Sequence, residues 1–337
     1  MKGLAMTILT CRIAAAAALL LMLSNSALGD TNMNTKPNRA DWMKEAKWGV
    51  FTHYLTAADT SVEEWNRLID GFDVQALAKQ LESVGAKYYF ITIGQNSGHY
   101  CAPNATYDRL VGIKPSKCSH RDLVADLYDA LHPKGIKLLV YLPSGAPDKD
   151  PIAMEKLKWE TGIWGKADGK RLAEFQVMWQ DVIRDWSVRW GDKVCGWWID
   201  GCYFSDAMYR NADPPNFKTF ADALRAGNPN SIVAFNPGVL TPVITLTEYE
   251  DYTAGEISEA FPVCPGPRVN QAQYHILSYL GENWSRGKPR FADEFVVGYT
   301  RDVSNKGGAV TWDVPTDLKG RIPKEFIDQL KLLRHIR

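Results

Sequence analysis

The sequence lacks the short signatures of several large enzyme classes. It contains no Gly-x-Ser-x-Gly segment, the turn that carries the nucleophile of α/β-hydrolases. The glycine patterns of dinucleotide-binding folds and of phosphate-binding loops are also missing. No Cys-x-x-Cys pair occurs, so the cysteine spacing indicates neither a zinc site nor a redox site. We therefore expect no metal and no cofactor.

An excess of charge of either sign is missing as well. Lys and Arg together number 39, as do Asp and Glu, so the formal net charge is zero. Proteins that bind nucleic acids or anionic membranes usually carry a basic excess or a basic patch. The balance argues against a nucleic-acid or membrane partner, and it leaves the oligomeric state open.

Long hydrophobic runs are confined to the N-terminus. Residues 1–29 have the pattern of a secretory signal, in which Lys2 and Arg12 precede an apolar core and Ala27-Leu28-Gly29 forms a small-residue cleavage site. The apolar core is too short to span a bilayer. We expect a secreted or periplasmic protein, with a short polar segment over residues 30–40 and one domain over residues 41–337.

Six cysteines are present, and Cys11 lies in the expected signal segment. In an oxidising compartment, an even subset of the others is expected to pair. Cys101 and Cys118 flank one polar loop segment, so a bridge between them is our preferred pairing. Cys195 and Cys202 bracket a strand, which holds them too far apart to bond to each other.

Strand-like and helix-like segments alternate along the rest of the chain. The clearest helix is capped by Asp73, repeats apolar residues at helical spacing through Leu81, and ends at Gly85. Repeated strand–helix–strand units predict a parallel sheet. Eight such strands in about 300 residues favour the α/β class and a closed (β/α)8 TIM-barrel. The predicted strands cover residues 48–54, 87–93, 136–142, 194–200, 231–235, 252–257, 275–280 and 309–314.

The most informative segment is the apolar run that ends in Asp200 and is followed by glycine. A charge at the end of a buried strand is costly without a partner. In a barrel, however, catalytic side chains sit at the carboxyl ends of the strands. The adjacent Trp197-Trp198 pair suits a sugar ring. An Asp-Gly turn is the alternative explanation of the same residues.

Polar and aromatic residues also end other predicted strands, as expected of a sugar pocket. These residues are His53, Tyr54, Gln95, Asn96, Tyr141, Trp198, Asn236 and Glu256. A glycosidase needs two carboxyl groups, one acting as nucleophile or base and one as proton donor. Asp200 fits the first role and Glu256 the second, with Glu250 and Glu259 as alternatives. His53 alone is more typical of a buried core histidine than of a catalytic one.

On these residues the chain resembles the glycoside hydrolase family 29 α-L-fucosidases, over roughly residues 40–335. The segment that ends at His53 is similar to the first strand of that family, whose final histidine contacts the sugar. Glu64-Trp65 matches a pair that lines its pocket. Trp198-Ile-Asp200-Gly201 resembles a Trp-Phe-Asp-Gly segment, in which the aspartate is the nucleophile of a retaining mechanism. Residues 251–256 are similar to the segment that bears its acid/base glutamate.

The resemblance implies a secreted, exo-acting, retaining glycoside hydrolase with a carbohydrate substrate and no cofactor. Asp200 and Glu256 are its implied catalytic residues. The implied substrate-binding residues are His53, Glu64, Trp65, Gln95, Asn96, Tyr141, Trp198 and Asn236.

Two departures from the family concern the sugar. Where the family has His-His-Asp-Gly after the second strand, this chain has Gln95-Asn96-Ser97-Gly98. Amides bond to hydroxyls but do not titrate. An arginine often found after the fifth strand is replaced by Asn236-Pro237-Gly238, and His99 offers partial compensation or is a solvated loop residue. A hydrolase for another sugar and an inactive carbohydrate-binding relative therefore remain alternatives.

Overall fold

A computed structural model describes residues 38–160 and 170–336. The expected signal segment and all but the last residues of the polar segment lie outside the described residues.

Seven parallel strands form one curled sheet, in the order β5-β4-β3-β2-β1-β9-β8. A short antiparallel pair, β6 with β7, precedes β8 along the chain. The central strands are buried on both faces, which explains why they read as nearly continuous apolar runs. The bounds are β1 Trp48–Thr52, β2 Tyr88–Thr92, β3 Lys137–Pro143, β4 Gly196–Asp200, β5 Ile232–Phe235, β6 Arg268–Val269, β7 Ala272–Gln273, β8 His275–Tyr279 and β9 Ala309–Asp313.

The predicted strand 252–257 is present only as isolated backbone bridges, from Tyr252 to Gln273 of β7 and from Glu256 to Leu277 of β8. The amide of the preceding Asp251 donates to the carbonyl of Val233 in β5 at 2.9 Å, and the amide of Ile257 donates to Leu277 in β8 at 3.0 Å. Residues 251–257 thus form hydrogen bonds to both edge strands of the seven-stranded sheet.

A glycine interrupts the regular pairing of this stretch. Gly255 has a φ of +62°, in the left-handed region that favours glycine. A Cβ at this position would lie 1.9 Å from the carbonyl oxygen of His275. Any side chain would therefore push β8 away, directly before Glu256.

The helices that the sequence pattern predicts, over residues 73–85, 121–131, 171–190, 217–226, 291–303 and 324–336, are present, with ends shifted by a few residues. In α3, the Asp73 side chain accepts from the amide of Ala76 and Gly85 adopts the left-handed cap, as expected. Helices α1, α2, α4, α6 and α8 lie in segments to which the sequence pattern assigned no structure. All of these except α2 have seven residues or fewer, and a helix that short shows little periodicity. The bounds are α1 Asp41–Ala46, α2 Val62–Asp70, α3 Val74–Val84, α4 Ala105–Val111, α5 Leu123–Leu131, α6 Pro151–Lys156, α7 Ala173–Trp190, α8 Ser205–Met208, α9 Phe217–Leu224, α10 Asp293–Asn305 and α11 Lys324–Lys331.

The two adjacent tryptophans of β4 belong to different parts of the core. Trp197 packs with the helices, and its ring lies 5.9 Å from that of Trp190 in α7. Trp198 belongs to the cluster on the other face of the sheet and stacks on Tyr141 at 5.4 Å. Because successive side chains of a strand point to opposite faces, only one of the pair faces the interior of the curled sheet.

Five cysteines lie in the described residues, and all are free thiols. The preferred Cys101–Cys118 disulfide is therefore not formed, and that prediction is wrong for this structure. Both residues are buried, and the Cys101 thiol lies 3.5 Å from the carbonyl oxygen of Thr92. Burial raises the pKa of both thiols, so they stay protonated.

Within residues 38–160 and 170–336, none of the helices is long and apolar enough to cross a membrane. No group of three or more His, Cys, Asp or Glu side chains in the same residues could hold a metal ion.

Candidate active site

A cavity of about 650 Å³ lies at the carboxyl ends of the parallel strands. This edge of a parallel sheet is where strand-end side chains of different strands meet. Most of the residues predicted for the site line the cavity. They are His53, Tyr54, Gln95, Asn96, Tyr141, Trp198, Asp200 and Glu256.

Asp200, the last residue of β4, is held by hydrogen bonds on both carboxylate oxygens. Its Oδ1 accepts from the amide of Gly201 at 2.8 Å, from Asn236 Nδ2 at 2.8 Å and from the Tyr203 hydroxyl at 3.3 Å. Its Oδ2 accepts from the Tyr141 hydroxyl at 2.5 Å. Donors on several sides fix the direction of the carboxylate, as a strand-end nucleophile requires.

Tyr141 links Asp200 to the amide loop that follows β2. The hydroxyl accepts from Gln95 Nε2 at 2.6 Å and donates to Asp200. Burial, followed by the neighbouring Asp200 charge, raises the pKa of Tyr141 well above its usual value, so the hydroxyl keeps its proton. Gln95, one of the two amides of this loop, thus supports the candidate nucleophile through Tyr141.

Asn236 joins the two candidate catalytic carboxyl groups. Its Nδ2 donates to Asp200 Oδ1 at 2.8 Å and to Glu256 Oε2 at 2.6 Å. Its Oδ1 accepts from the amide of Gly238 at 3.1 Å, and a backbone N–H can only donate. This last bond fixes which end of the amide faces the carboxyl groups.

Glu256 has the properties of a proton donor. Burial, and then the negative charge of Asp200, raise its pKa to about 7, while the Asn236 hydrogen bond and the nearby His53 lower it. A carboxyl group with a raised pKa beside a firmly held carboxylate is the arrangement that separates acid and nucleophile roles in glycosidases.

The alternative glutamates, Glu250 and Glu259, lie in environments that differ from that of Glu256. Glu250 is buried and accepts from the amides of Phe235 at 3.0 Å and Thr247 at 3.0 Å. Glu259 is exposed and forms an ion pair with Arg290. Neither lines the cavity, so Glu256 is the glutamate that the fold brings to Asp200.

The structure places Glu64 and Trp65 away from the cavity. Both lie on α2, which turns Trp65 into the core, where its indole N–H donates to the carbonyl of Tyr100 at 2.9 Å. Glu64 pairs with Arg67 on the helix surface. His99, considered above as a solvated loop residue, is buried against Trp65, and burial lowers its pKa to about 4.

Several cavity residues were not identified from the sequence. They are Tyr203, Trp284 and Ser285. Asp313, which was also not identified, lies behind the cavity wall at 2.8 Å from the ring of His53. Asp313 had a recognisable signal, because it is a charged residue next to the end of the predicted strand 309–314. Trp284 and Ser285 lie in a loop with no periodic pattern.

No protein-family model matches the chain, and no curated protein matches it in sequence. The fold is nevertheless similar to solved structures of carbohydrate-active enzymes. The endo-fucoidan hydrolase MfFcnA4 of glycoside hydrolase family 107 matches with a TM-score of 0.67 and 18% identity, over 88% of this chain and 53% of that chain. This chain therefore spans about half the length of MfFcnA4.

Two further structures match along nearly their whole length. The endo-fucoidan hydrolase P5AFcnA has a TM-score of 0.63 and 17% identity, over 88% of this chain and 92% of that chain. The α-L-fucosidase AlfC from Lactobacillus casei, in complex with its α-L-fucose product, has a TM-score of 0.59 and 16% identity, over 88% of this chain and 97% of that chain. At these identities the similarity demonstrates a common fold.

Proposed function

We propose that this protein is a retaining, exo-acting glycoside hydrolase of the α-L-fucosidase type. The observation that carries the proposal is the pair of carboxyl groups, Asp200 and Glu256, joined through Asn236 in a cavity at the strand ends. The similarity of the fold to an α-L-fucosidase and to endo-fucoidan hydrolases supports the same class.

The spacing of the two carboxyl groups supports the retaining mechanism. Asp200 Oδ1 and Glu256 Oε2 lie 2.8 and 2.6 Å from the same nitrogen, so their separation cannot exceed the sum of these distances. Retaining glycosidases hold their carboxyl groups about 5–5.5 Å apart, whereas inverting ones need roughly 6.5–9.5 Å to admit a water molecule.

In the proposed mechanism, Asp200 and Glu256 hydrolyse the glycosidic bond in two successive displacements at the anomeric carbon. Asp200 attacks the anomeric carbon and forms a covalent glycosyl-enzyme, while Glu256 gives its proton to the departing oxygen. Glu256, now ionised, takes a proton from water, and the resulting hydroxide releases the sugar and restores Asp200. Trp198 and Tyr141 supply an aromatic wall for the sugar ring, and His53, Gln95 and Asn96 offer polar contacts to its hydroxyls.

Two further proposals concern the fold and the location of the protein. We propose a single-domain (β/α)8 barrel in which residues 252–257 take the place of the remaining strand, supported by the hydrogen bond of the preceding Asp251 to β5 and that of Ile257 to β8. Export is proposed from the signal-like pattern of residues 1–29.

Hydrolysis is expected to decline as the pH rises through about 7. The raised pKa of Glu256 fixes the direction, because below it the acid carries the proton that the leaving group needs and above it the proton is lost. The measurement is kcat/KM against pH with a substrate of poor leaving-group ability. A rate that stays level, or rises, through neutral pH would contradict the role of Glu256.

A hydrolase for an acidic sugar is the second candidate. Lys149 and Arg286 line the cavity, are exposed, and form no ion pair with any residue of the described ranges. Two free cations beside the sugar site favour a substrate that carries carboxylate or sulfate groups.

A panel of aryl glycosides separates these functions, with Asp200→Ala as the inactive reference. Hydrolysis of the neutral α-L-fucoside, with the first-formed sugar retaining the α configuration by NMR, is expected. Hydrolysis of acidic glycosides alone would favour the second candidate. If no glycoside of the panel is hydrolysed and the Asp200→Ala variant still binds sugar, the protein is a carbohydrate-binding protein and the proposed enzyme is contradicted.

A further inference from the structure

Asp313 is a buried carboxylate that the reaction described above does not use. It is the last residue of β9, is fully buried, and lies beside Phe51 of β1 in the register of the sheet. Burying a carboxylate is costly unless every oxygen is compensated. Its partners therefore indicate what it does.

The first partner of Asp313 is the cavity histidine. Asp313 Oδ1 lies 2.8 Å from His53 Nδ1. A carboxylate can only accept hydrogen bonds, so this contact requires the proton of the imidazole on Nδ1. The other ring nitrogen, Nε2, is then available to contact a ligand in the cavity that His53 lines.

The second partner of Asp313 is the loop that carries Ser285, whose hydroxyl also lies 3.2 Å from His53 Nδ1. The amide of Ser285 donates to Asp313 Oδ2 at 2.6 Å, and its hydroxyl donates to Oδ1 at 3.0 Å. Ser285 has a φ of +51°, a region that non-glycine residues rarely adopt, so these bonds hold a strained backbone. The preceding residue, Trp284, lines the cavity with its ring 5.7 Å from that of His53.

We propose that Asp313 is a positioning residue, which fixes the tautomer and direction of His53 and holds the Trp284 loop against it. One strand-end carboxylate thus organises two walls of the sugar cavity without touching the sugar. The inference rests on the proposed function for its catalytic consequence, although the state of His53 can be measured without a substrate.

The variant Asp313→Asn tests the proposal directly. Asparagine has nearly the same shape as aspartate, but an NH2 group, which can only donate, replaces one of the two acceptor oxygens. The amide of Ser285 can only donate, so the Asn oxygen must occupy the position of Oδ2 and the Asn NH2 must face His53. His53 Nδ1 then faces a donor at the position of Oδ1, and we expect the ring proton to move to Nε2. We expect kcat/KM to fall roughly 10²-fold, since a misplaced contact group costs about that much.

The direct readout is the long-range ¹H–¹⁵N spectrum of the histidine rings. The chain has six histidines, and His53→Gln identifies the signals of His53 by their loss. The proposal predicts a protonated Nδ1 in the wild-type protein and in Ser285→Ala, and an unprotonated Nδ1 in Asp313→Asn. An unprotonated Nδ1 in the wild-type protein would overturn it before any variant is needed.

Two further outcomes distinguish positioning from a merely structural role. If Asp313→Asn lowers the thermal midpoint but leaves the His53 signals and kcat/KM unchanged, the carboxylate only stabilises the fold and the proposal fails. If Ser285→Ala moves the ring proton as well, loop packing controls the tautomer and the proposal also fails. A wild-type protein that hydrolyses no glycoside but shows the expected His53 signals would refute the proposed function and leave the positioning role intact.

Discussion

Replacing Asp200 by alanine is expected to lower kcat by at least about 10³-fold, because the variant has no group to attack the anomeric carbon. The side chain is held by Gly201, Asn236, Tyr203 and Tyr141, so its loss leaves a cavity that small anions can enter. Added azide is therefore expected to restore turnover in part and to give a glycosyl azide of inverted configuration.

The matched control is Asp206→Ala, which removes an exposed aspartate from the nearby helix α8. Its activity is expected to stay within about twofold of wild type, since exposed ion pairs contribute little. Steady-state kinetics with the same aryl glycoside measures both variants. An Asp200→Ala protein that keeps a tenth or more of the wild-type kcat, roughly a loss of only 1.4 kcal/mol in transition-state stabilisation, would remove Asp200 from the mechanism.

Replacing Glu256 by glutamine is expected to have the second largest effect. Removal of a general acid costs about 10²- to 10⁴-fold, and the loss depends on how much the leaving group needs a proton. Natural saccharides, and aryl glycosides whose leaving group has a high pKa, should therefore show the full loss of hydrolysis rate. A dinitrophenyl glycoside should still form the covalent intermediate at close to the wild-type rate. The glutamine carbonyl can still accept from Asn236, so the fold around Asp200 is kept.

The comparison of leaving groups is the measurement for Glu256. Glu259→Gln, an exposed glutamate near it in the chain, is the control and should behave as wild type. A Glu256→Gln variant with the same loss for all leaving groups would indicate a binding or structural role. A variant that keeps the decline of activity above neutral pH would show that another group supplies the proton.

The strand-end rule explains why much of the site was predictable. In a parallel sheet, residues that directly follow the strands converge at one edge, so His53, Gln95, Tyr141, Asp200 and Asn236 could be grouped without a structure. The apolar run before Asp200 indicated a buried strand, and the strand-end pattern selected Trp198 from the Trp197-Trp198 pair as a site residue. These are local patterns that depend little on distant contacts.

The parts that were not predictable depend on contacts between distant segments. Glu64 and Trp65 matched a family pair in sequence, yet helix α2 turns the indole into the core. The choice of Glu256 over Glu250 and Glu259 depends on the backbone of this stretch, which Gly255 bends against β8. A strand-like pattern carries no information about such a bend.

The cysteines and Asp313 illustrate the same limit. Cys101 and Cys118 are suitably spaced in the sequence, but the Cys101 thiol lies against the carbonyl of Thr92 and both cysteines stay free. Asp313 lies next to the end of a predicted strand, and its importance appears only when β9 lies beside β1 and brings it to His53.

The most direct test of the central claim is to trap the covalent intermediate. Incubation with 2-deoxy-2-fluoro-α-L-fucosyl fluoride, or with the corresponding fluoride of whichever sugar the panel identifies, should inactivate the enzyme with time and add one sugar per chain. Peptide mapping by mass spectrometry should then find that sugar on Asp200. A sugar attached to another carboxylate, or inverted product formed with no covalent adduct, would contradict the assignment of Asp200 and Glu256 as nucleophile and acid.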